Sequence, residues 1–444
     1  MKSKLKNLIK ASLTENQKKQ IRRIKFNYYD TPKKKKFVKN IQSKHAILLK
    51  EKRKKKKIKV IFLAIHKSVW KVDLVFKKML KDSSFEPIIL VCPYTTYGTE
   101  NMLEGLTETL EYFKSKNYPV ISSYINNTWV KLEELKPDMI FFTNPHSLTI
   151  SEYYENAYEN YLCAYVPYYF MATTHAGDNE SLYNTYMLNA MKYIFWPHEY
   201  VYESFKKYSL INGDNSICCG YPASEIFFNE TPIKKEVWKK QSNDKKRIIY
   251  APHHTIDDSE KSLSSFLQLG ESIKQLAQKY SDEIQWAFKP HPILKQKLYL
   301  HKEWGKVKTD EYWNFWDIQE YTQLETGEYE TLFMDSDAII HDSSSFIVEY
   351  AFLKKPALYT VDIEKIDILV NKFGKVVLKN YEIGNQKKDV VKFLNSLLSS
   401  TNTKKGLSEF DEYVEKYYKS KSPSNIIIEH IKNDFNKNQI QKES

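Results

Sequence analysis

A chain of 444 residues, 42% of them apolar, is long enough for two globular domains, and its formal charge of +13 asks for a polyanionic partner. The four cysteines, Cys92, Cys163, Cys218 and Cys219, contain no CxxC spacing. They support neither a disulfide framework nor a zinc site, and reduced thiols fit the cytosol. No stretch reaches the roughly 18 apolar residues of a membrane span, and the start lacks the apolar core of a signal peptide.

The charge is not spread evenly. Residues 1–57 hold 22 Lys or Arg against Glu15, Asp30 and Glu51, whereas the remainder holds 46 basic and 52 acidic residues and is mildly acidic. Leu5, Leu8, Ile9, Leu13, Ile21, Ile24 and Tyr28 recur at spacings near three and four. That pattern predicts a basic amphipathic helix ending before Pro32, followed by lysine clusters at 33–36 and 52–57. A basic arm over 1–57 suits the anionic inner face of a membrane, each cation adding about 1 kcal/mol there. A solvated tail is the plainer alternative. Nucleic acid is not expected as a partner, because no nucleic-acid-binding signature accompanies the charge.

From residue 58 the texture changes to short apolar runs separated by helical stretches. Strands are predicted at 58–65, 87–91, 119–122, 139–142, 163–166 and 193–196, then, after Gly220-Tyr221-Pro222 and a polar stretch, at 247–250, 284–288, 337–340 and 356–359. Strands alternating with helices imply parallel sheets. The reading is therefore α/β, with two doubly wound Rossmann-like domains at 58–225 and 235–425, the basic arm before them and a polar tail at 426–444. In such folds ligands bind beyond the carboxyl ends of the strands.

Four of those strand ends carry histidine: Thr174-His175-Ala176, Pro252-His253-His254-Thr255, Lys289-Pro290-His291-Pro292 and His341-Asp342-Ser343. Histidine supplies a proton acceptor or a phosphate partner near neutral pH. Ser343, Ser344 and Ser345 fall at a predicted helix start, where amides and hydroxyls favour an anion, and Glu349 one turn later is placed for a ribose hydroxyl. His341 and Asp342 lack a third metal ligand at suitable spacing, so no metal is expected. Tyr153, Tyr154, Tyr158, Tyr161, Tyr165, Tyr168 and Tyr169 are read as packing residues rather than sugar platforms. Trp304, Trp313 and Trp316 lie in a long connection able to cover a ligand or touch a membrane.

The run Ser336-Asp337-Ala-Ile-Ile-His341-Asp342-Ser343-Ser344-Ser345-Phe-Ile-Val-Glu349-Tyr350, followed by Lys355-Pro356, resembles the signature of the CDP-glycerol glycerophosphotransferase family, which builds teichoic-acid-like and capsular polymers. Thr174-His175, Gly220-Tyr221-Pro222, Tyr250-Ala251-Pro252 and Lys289-Pro290-His291-Pro292 resemble further family motifs in the family's order, over roughly residues 160–360. The resemblance implies a GT-B type fold and transfer of glycerol phosphate, or a related polyol phosphate, from a CDP-activated donor to a polymer or lipid-linked acceptor, with CMP released and no cofactor. It implies that His175 deprotonates the acceptor hydroxyl and that His291 contacts the donor phosphate. His253, His254, Lys289, Asp342, Ser343, Ser344, Ser345 and Glu349 would bind the donor, the serines at its pyrophosphate and Glu349 at its ribose. Ala176, Gly177 and Asp178 depart from the usual surroundings of the first histidine, Ser343 replaces a tyrosine, and Glu349 replaces an aspartate. Two other functions compete: glycosyl transfer from a nucleotide sugar on the same fold, and non-catalytic binding of acidic polymer or lipid. The expected place of work is the cytoplasm, peripherally attached to the inner face of the cell membrane.

Overall fold

The computed structural model describes residues 31–53, 55–96, 98–174, 179–228, 236–257, 262–399 and 408–436. The first sheet contains β1 (Ile58–Ala64), β2 (Phe85–Val91), β3 (Val120–Ser122), β6 (Met139–Phe142), β7 (Cys163–Tyr165), β8 (Tyr193–Trp196) and β9 (Ser216–Cys218). A small hairpin, β4 (Tyr124–Ile125) and β5 (Thr128–Trp129), stands apart. The sheet runs in the order β3-β2-β1-β6-β7-β8-β9 with every pairing parallel. Strands covered on both faces by helices must be apolar throughout, which is why β6 and β8 are buried at every position.

The second sheet contains β10 (Lys246–Ala251), β11 (Ile284–Phe288), β12 (Thr322–Leu324), β13 (Ala338–His341), β14 (Ala357–Tyr359) and β15 (Glu382–Ile383). Its order is β12-β11-β10-β13-β14-β15, again all parallel. The direction of winding reverses between β10 and β13, and their paired last residues, Ala251 and His341, mark the switch point where such sheets bind ligands. The described residues thus form two Rossmann-like α/β layers.

Three expectations change. Residues 31–52 are not part of a free arm. The helix Thr31–Lys52 takes Pro32 into its first turn, where the missing N–H costs nothing, and buries Val38, Ile41, His45 and Leu49 on one stripe. Lys52 and Lys55 both pair with buried Asp138 at 2.8 and 2.6 Å, so part of the basic charge serves the fold. The predicted amphipathic helix at 3–29 lies outside the described residues. The polar tail does not begin at 426 either: the helix Pro423–Asn436 buries Ile427, Ile428, Ile431 and Phe435, and returns the chain to the first half. There Lys78 donates to Ser422 Oγ at 2.8 Å and Lys432 pairs with Asp82 at 2.7 Å. Finally, Trp304, Trp313 and Trp316 are buried around the helix Gly305–Ile318, packed on Phe266 and Phe288, and cover no cleft.

The two halves are joined at a short antiparallel bridge between Thr173 and Val370. Thr174 donates its N–H to Leu369 at 2.9 Å, and Asn371 donates its N–H to Ala172 at 3.0 Å. Gly374 makes this approach possible, because a Cβ there would lie 2.5 Å from the Ala172 carbonyl oxygen.

Candidate active site

The site grows from the carboxyl ends of β10, β11 and β13. Chain leaving these strands is cross-tied by backbone bonds: Lys289 N–H to Tyr250 at 2.8 Å, and His291 N–H to Pro252 at 3.0 Å. Prolines 252, 290 and 292 limit the turn conformations. The result brings three imidazoles together, with ring centres 4.3 Å apart for His253 and His254, 4.2 Å for His254 and His291, and 5.3 Å for His253 and His291, the last pair edge to face.

Their protonation follows from the packing. Burial, followed by repulsion from His254, lowers both His291, to about 3, and His253; burial also lowers His254. All three are therefore neutral at neutral pH. Nδ1 of His253 accepts the Thr255 N–H at 3.3 Å, and Nδ1 of His291 accepts the Ile293 N–H at 3.3 Å. A neutral ring whose Nδ1 accepts carries its proton on Nε2, so two N–H donors remain for a ligand. One ring nitrogen from each of the three histidines lies within 4.8 Å of the others. That spacing could hold a metal ion, but the donor tautomer suits a phosphate oxygen better.

Asp342 is placed differently from its expected donor-binding role. Its carboxylate is 1% exposed and accepts N–H bonds from His253 and from Ser265 (2.7 Å), together with the hydroxyls of Ser265 (3.1 Å) and Ser264 (3.3 Å). Burial raises its pKa to about 6 against those bonds. It is a clasp that fixes the His253 turn to residues 264–265. Lys289 also turns away from the histidines: its ammonium donates to the Gly327 carbonyl at 2.7 Å and lies 5.7 Å from the ring centre of Tyr329. Burial lowers it to about 8. The Asp342 carboxylate is thus engaged by protein donors, while the Lys289 ammonium uses one of its three N–H groups on Gly327.

Ser343 is nearly buried, while Ser344 and Ser345 are half-buried. The helix they precede, Phe346–Glu349, is a single turn continued by the 3-10 turn Tyr350–Leu353, and Ser345 does not cap it through its side chain. The helix-dipole contribution expected there is correspondingly small. His341 is fully buried among Phe346, Tyr359 and Tyr381, with its pKa lowered to about 3 by burial, and is a core residue.

Glu349 lies 2% exposed at the end of that turn, and burial raises its pKa to about 7. Its Oε2 has no hydrogen-bond partner among the described residues, and Lys71 and the Tyr329 hydroxyl favour its ionised form against that burial. Near it, the hydroxyl of fully buried Tyr221 is also unpartnered. Gly220 supports this tyrosine: at φ +84° its position would bring a Cβ to 2.9 Å from Pro423 and 3.0 Å from Tyr417. His175 lies outside the described residues, immediately after the Thr173–Thr174 segment that the second half grips. Tyr329 and the clasp at Ser264 and Ser265 were not singled out from sequence. Tyr221 was, in its Gly-Tyr-Pro motif.

Two parallel-sheet layers with a polar site beyond the second sheet's switch point define the GT-B type of fold. Comparison with solved structures agrees. The wall teichoic acid polymerase TagF superposes with a TM-score of 0.53 at 15% identity, covering 97% of this chain and 100% of that one. The UDP-GlcNAc 2-epimerase from Methanocaldococcus jannaschii gives a TM-score of 0.54 at 14% identity, covering 83% and 98%. At these identities the likeness establishes the fold alone. In sequence, residues 166–426 match the family described as CDP-Glycerol:Poly(glycerophosphate) glycerophosphotransferase, and the chain belongs to that family. A teichoic acid glycerol-phosphate primase of Bacillus spizizenii is 31% identical over 169 residues, 37% of this chain and 39% of the relative. A teichoic acid poly(glycerol phosphate) polymerase of Staphylococcus epidermidis is 24% identical over 182 residues, 39% of this chain and 23% of the relative. The chain thus aligns with well under half of each relative's length.

Proposed function

We propose that this protein transfers glycerol phosphate, or another polyol phosphate, from a CDP-activated donor to a hydroxyl of a growing wall- or capsule-type polymer, releasing CMP. The observation that carries the reading is the cluster of His253, His254 and His291 at the switch point, with one ring nitrogen of each within 4.8 Å of the others, in a chain of the glycerophosphotransferase family. In this scheme the acceptor oxygen attacks the phosphorus that bears the polyol, and the bond from that phosphorus to the CMP oxygen breaks. The acceptor's proton passes to His175. His291 and His253 donate to the phosphate oxygens as charge builds on them, with His254 packed between, and CMP leaves as the anion. Ser343, Ser344 and Ser345 offer amides and hydroxyls to the pyrophosphate, and Glu349 accepts from the ribose. Asp342 and Lys289 serve the donor indirectly, by holding the turns. The reading uses no metal.

No described helix is long and apolar enough to cross a membrane. A membrane-linked acceptor would instead be met by surface attachment at the cytoplasmic face, for which the helix Thr31–Lys52 offers exposed Lys33, Lys35, Lys36, Lys39 and Lys50 beside the basic residues 1–30.

The test is CMP release from CDP-glycerol, CDP-ribitol and a panel of nucleotide sugars, with crude polymer as acceptor. CMP from a CDP-polyol, reduced about 100- to 1,000-fold in His291→Ala, is the expected result, since one lost donor to a developing oxyanion costs that much. Turnover of a nucleotide sugar alone would replace this reading with glycosyl transfer.

A further inference from the structure

The helix Thr31–Lys52 and the turn at residues 209–214 bound a groove of about 240 Å³, several times the roughly 30 Å³ of one water molecule. Both walls are fixed. The helix is anchored by its buried stripe, of which Val38 lines the groove together with buried Ile211 and half-buried Leu210. The turn is braced from three sides: Asn189 Oδ1 accepts the Leu210 N–H at 3.0 Å, Ser209 Oγ accepts the Gly213 N–H at 3.1 Å, and Ser216 Oγ donates to the Gly213 carbonyl at 2.9 Å. Five polar side chains complete the lining, Lys35, Lys39 and Gln42 from the helix and Asn212 and Asp214 from the turn. None of the five makes a side-chain hydrogen bond or ion pair among the described residues. Other lysines of this helix do find protein partners: Lys44 donates to the Glu159 carbonyl at 2.7 Å, and Lys52 pairs with Asp138 at 2.8 Å. The chain's own residues 1–30, with nine Lys or Arg against Glu15 and Asp30, are repelled by Lys35 and Lys39. An anionic surface attracts both.

We infer that this groove is a headgroup site for an anionic phospholipid whose phosphate carries a polyol. Lys35 and Lys39, one helical turn apart, take the phosphate oxygens by charge-assisted hydrogen bonds. Gln42, Asn212 and Asp214 take the hydroxyls, and Val38, Leu210 and Ile211 meet the carbon atoms. Asp214 sets the selectivity: a carboxylate accepts from a hydroxyl but repels the carboxylate of a serine headgroup. The inference rests on the reading of surface attachment at the membrane and is independent of the transfer chemistry. It turns a diffuse attraction between lysines and lipid into recognition of one lipid class.

The test uses the full-length protein and phosphatidylcholine vesicles containing equal fractions of phosphatidylglycerol or phosphatidylserine, so that the headgroup differs while both lipids are anionic. Wild type should prefer phosphatidylglycerol by about tenfold, the worth of one hydrogen bond to a charged group. Lys35→Gln/Lys39→Gln is compared with Lys33→Gln/Lys36→Gln, which removes the same charge from exposed positions of the same helix. The groove pair should bind phosphatidylglycerol vesicles about tenfold more weakly than the control pair. Asp214→Asn gives the sharper outcome. Removing a negative charge strengthens a purely electrostatic attachment, whereas here it should weaken binding to phosphatidylglycerol and abolish the preference over phosphatidylserine. Equal losses in the two lysine pairs, or tighter phosphatidylglycerol binding by folded Asp214→Asn, overturn the inference and leave the attachment reading standing. No vesicle binding by wild type overturns both. A soluble arm separates lipid from polymer: glycerophosphoglycerol, the deacylated headgroup, and poly(glycerol phosphate) are titrated by calorimetry. Binding of glycerophosphoglycerol that is lost in the groove pair supports the headgroup site. Polymer binding tighter than vesicle binding, and lost in the groove pair, overturns the lipid assignment in favour of the polymer chain.

Discussion

The histidine-bearing turns beyond the second sheet are tied to one another, whereas the segment 171–174 that leaves β7 of the first sheet is held by the other half. In the second, Asp342 gathers the His253 turn and residues 264–265, and the chain at 289–291 bonds back to 250–252. In the first, the loop after β1 closes on the surface through Lys67 and Glu108 at 2.6 Å, and His146 N–H bonds to nearby Asn144. Residues 171–174, which lead to His175, are gripped by 369–374 of the second half. The family match takes in the whole second sheet and leaves β1–β7 outside. The histidine cluster is thus assembled within one half, while the position of residues 171–174 depends on contact between the halves.

The largest effect should come from opening the clasp. Asp342→Ala leaves the backbone N–H groups of His253 and Ser265 unpartnered, and should cost roughly 3 kcal/mol of stability in a urea titration, together with most turnover. Asp342→Asn, retaining one acceptor oxygen, should lose less. If Asp342→Ala remained as stable and active as wild type, the donor side would not be the preassembled half. Glu349 should show next. Its folded pKa, about 7, lies above the ordinary carboxyl value, so its contribution to stability is complete below about pH 4 and is lost as pH rises through 7. Wild type measured against Glu349→Gln should therefore lose up to roughly 3 kcal/mol between pH 4 and 9, once the gain that the buried neutral histidines give both proteins over the same rise cancels. A flat difference would mean that the carboxyl is solvated. The docking side is probed by Gly374→Ala, whose Cβ pushes on the Ala172 carbonyl. We expect a loss of about 1–3 kcal/mol, and a larger fall in polymer-dependent CMP release than in CMP binding.

How far the sequence reveals this arrangement depends on how local each feature is. Parallel strands buried on both faces read as continuous apolar runs, so all ten expected strands are present, β1 from Ile58 and β11 at 284–288 among them. Besides the small β4–β5 hairpin, the strands not recognised, Ser216–Cys218, Thr322–Leu324 and Glu382–Ile383, are short, lie at sheet edges and contain polar residues. The histidine turns were legible because proline and histidine sit together at strand ends. Which way Lys289 and Asp342 point was not, since pairing register decides it. Lys71 and Tyr329 are 258 residues apart and meet only when two separate sheets dock. The helix Thr31–Lys52 was misread because its lysines dominate its composition, although Val38, Ile41, His45 and Leu49 already stand at the spacing of a buried stripe.

That last correction changes how the basic region should be tested. Deleting residues 1–57 would strip a docked helix from the first half, leaving Asp138 without Lys52 and Lys55, and any loss of membrane binding would be mixed with misfolding. Deletion of residues 1–30, combined with reversal of exposed Lys33, Lys35, Lys36 and Lys39 to glutamate, leaves the buried stripe in place. At about 1 kcal/mol for each cation near an anionic surface, this variant should release from phosphatidylglycerol vesicles in a flotation assay, more readily at higher salt. Its CMP release in solution with a soluble acceptor should change less than twofold, because among the described residues no contact joins Lys33, Lys35, Lys36 or Lys39 to the histidine cluster or Glu349. Retention on the vesicles would move the membrane contact to another face, and equal loss of soluble turnover would mean that the basic region supports the catalytic halves rather than their location.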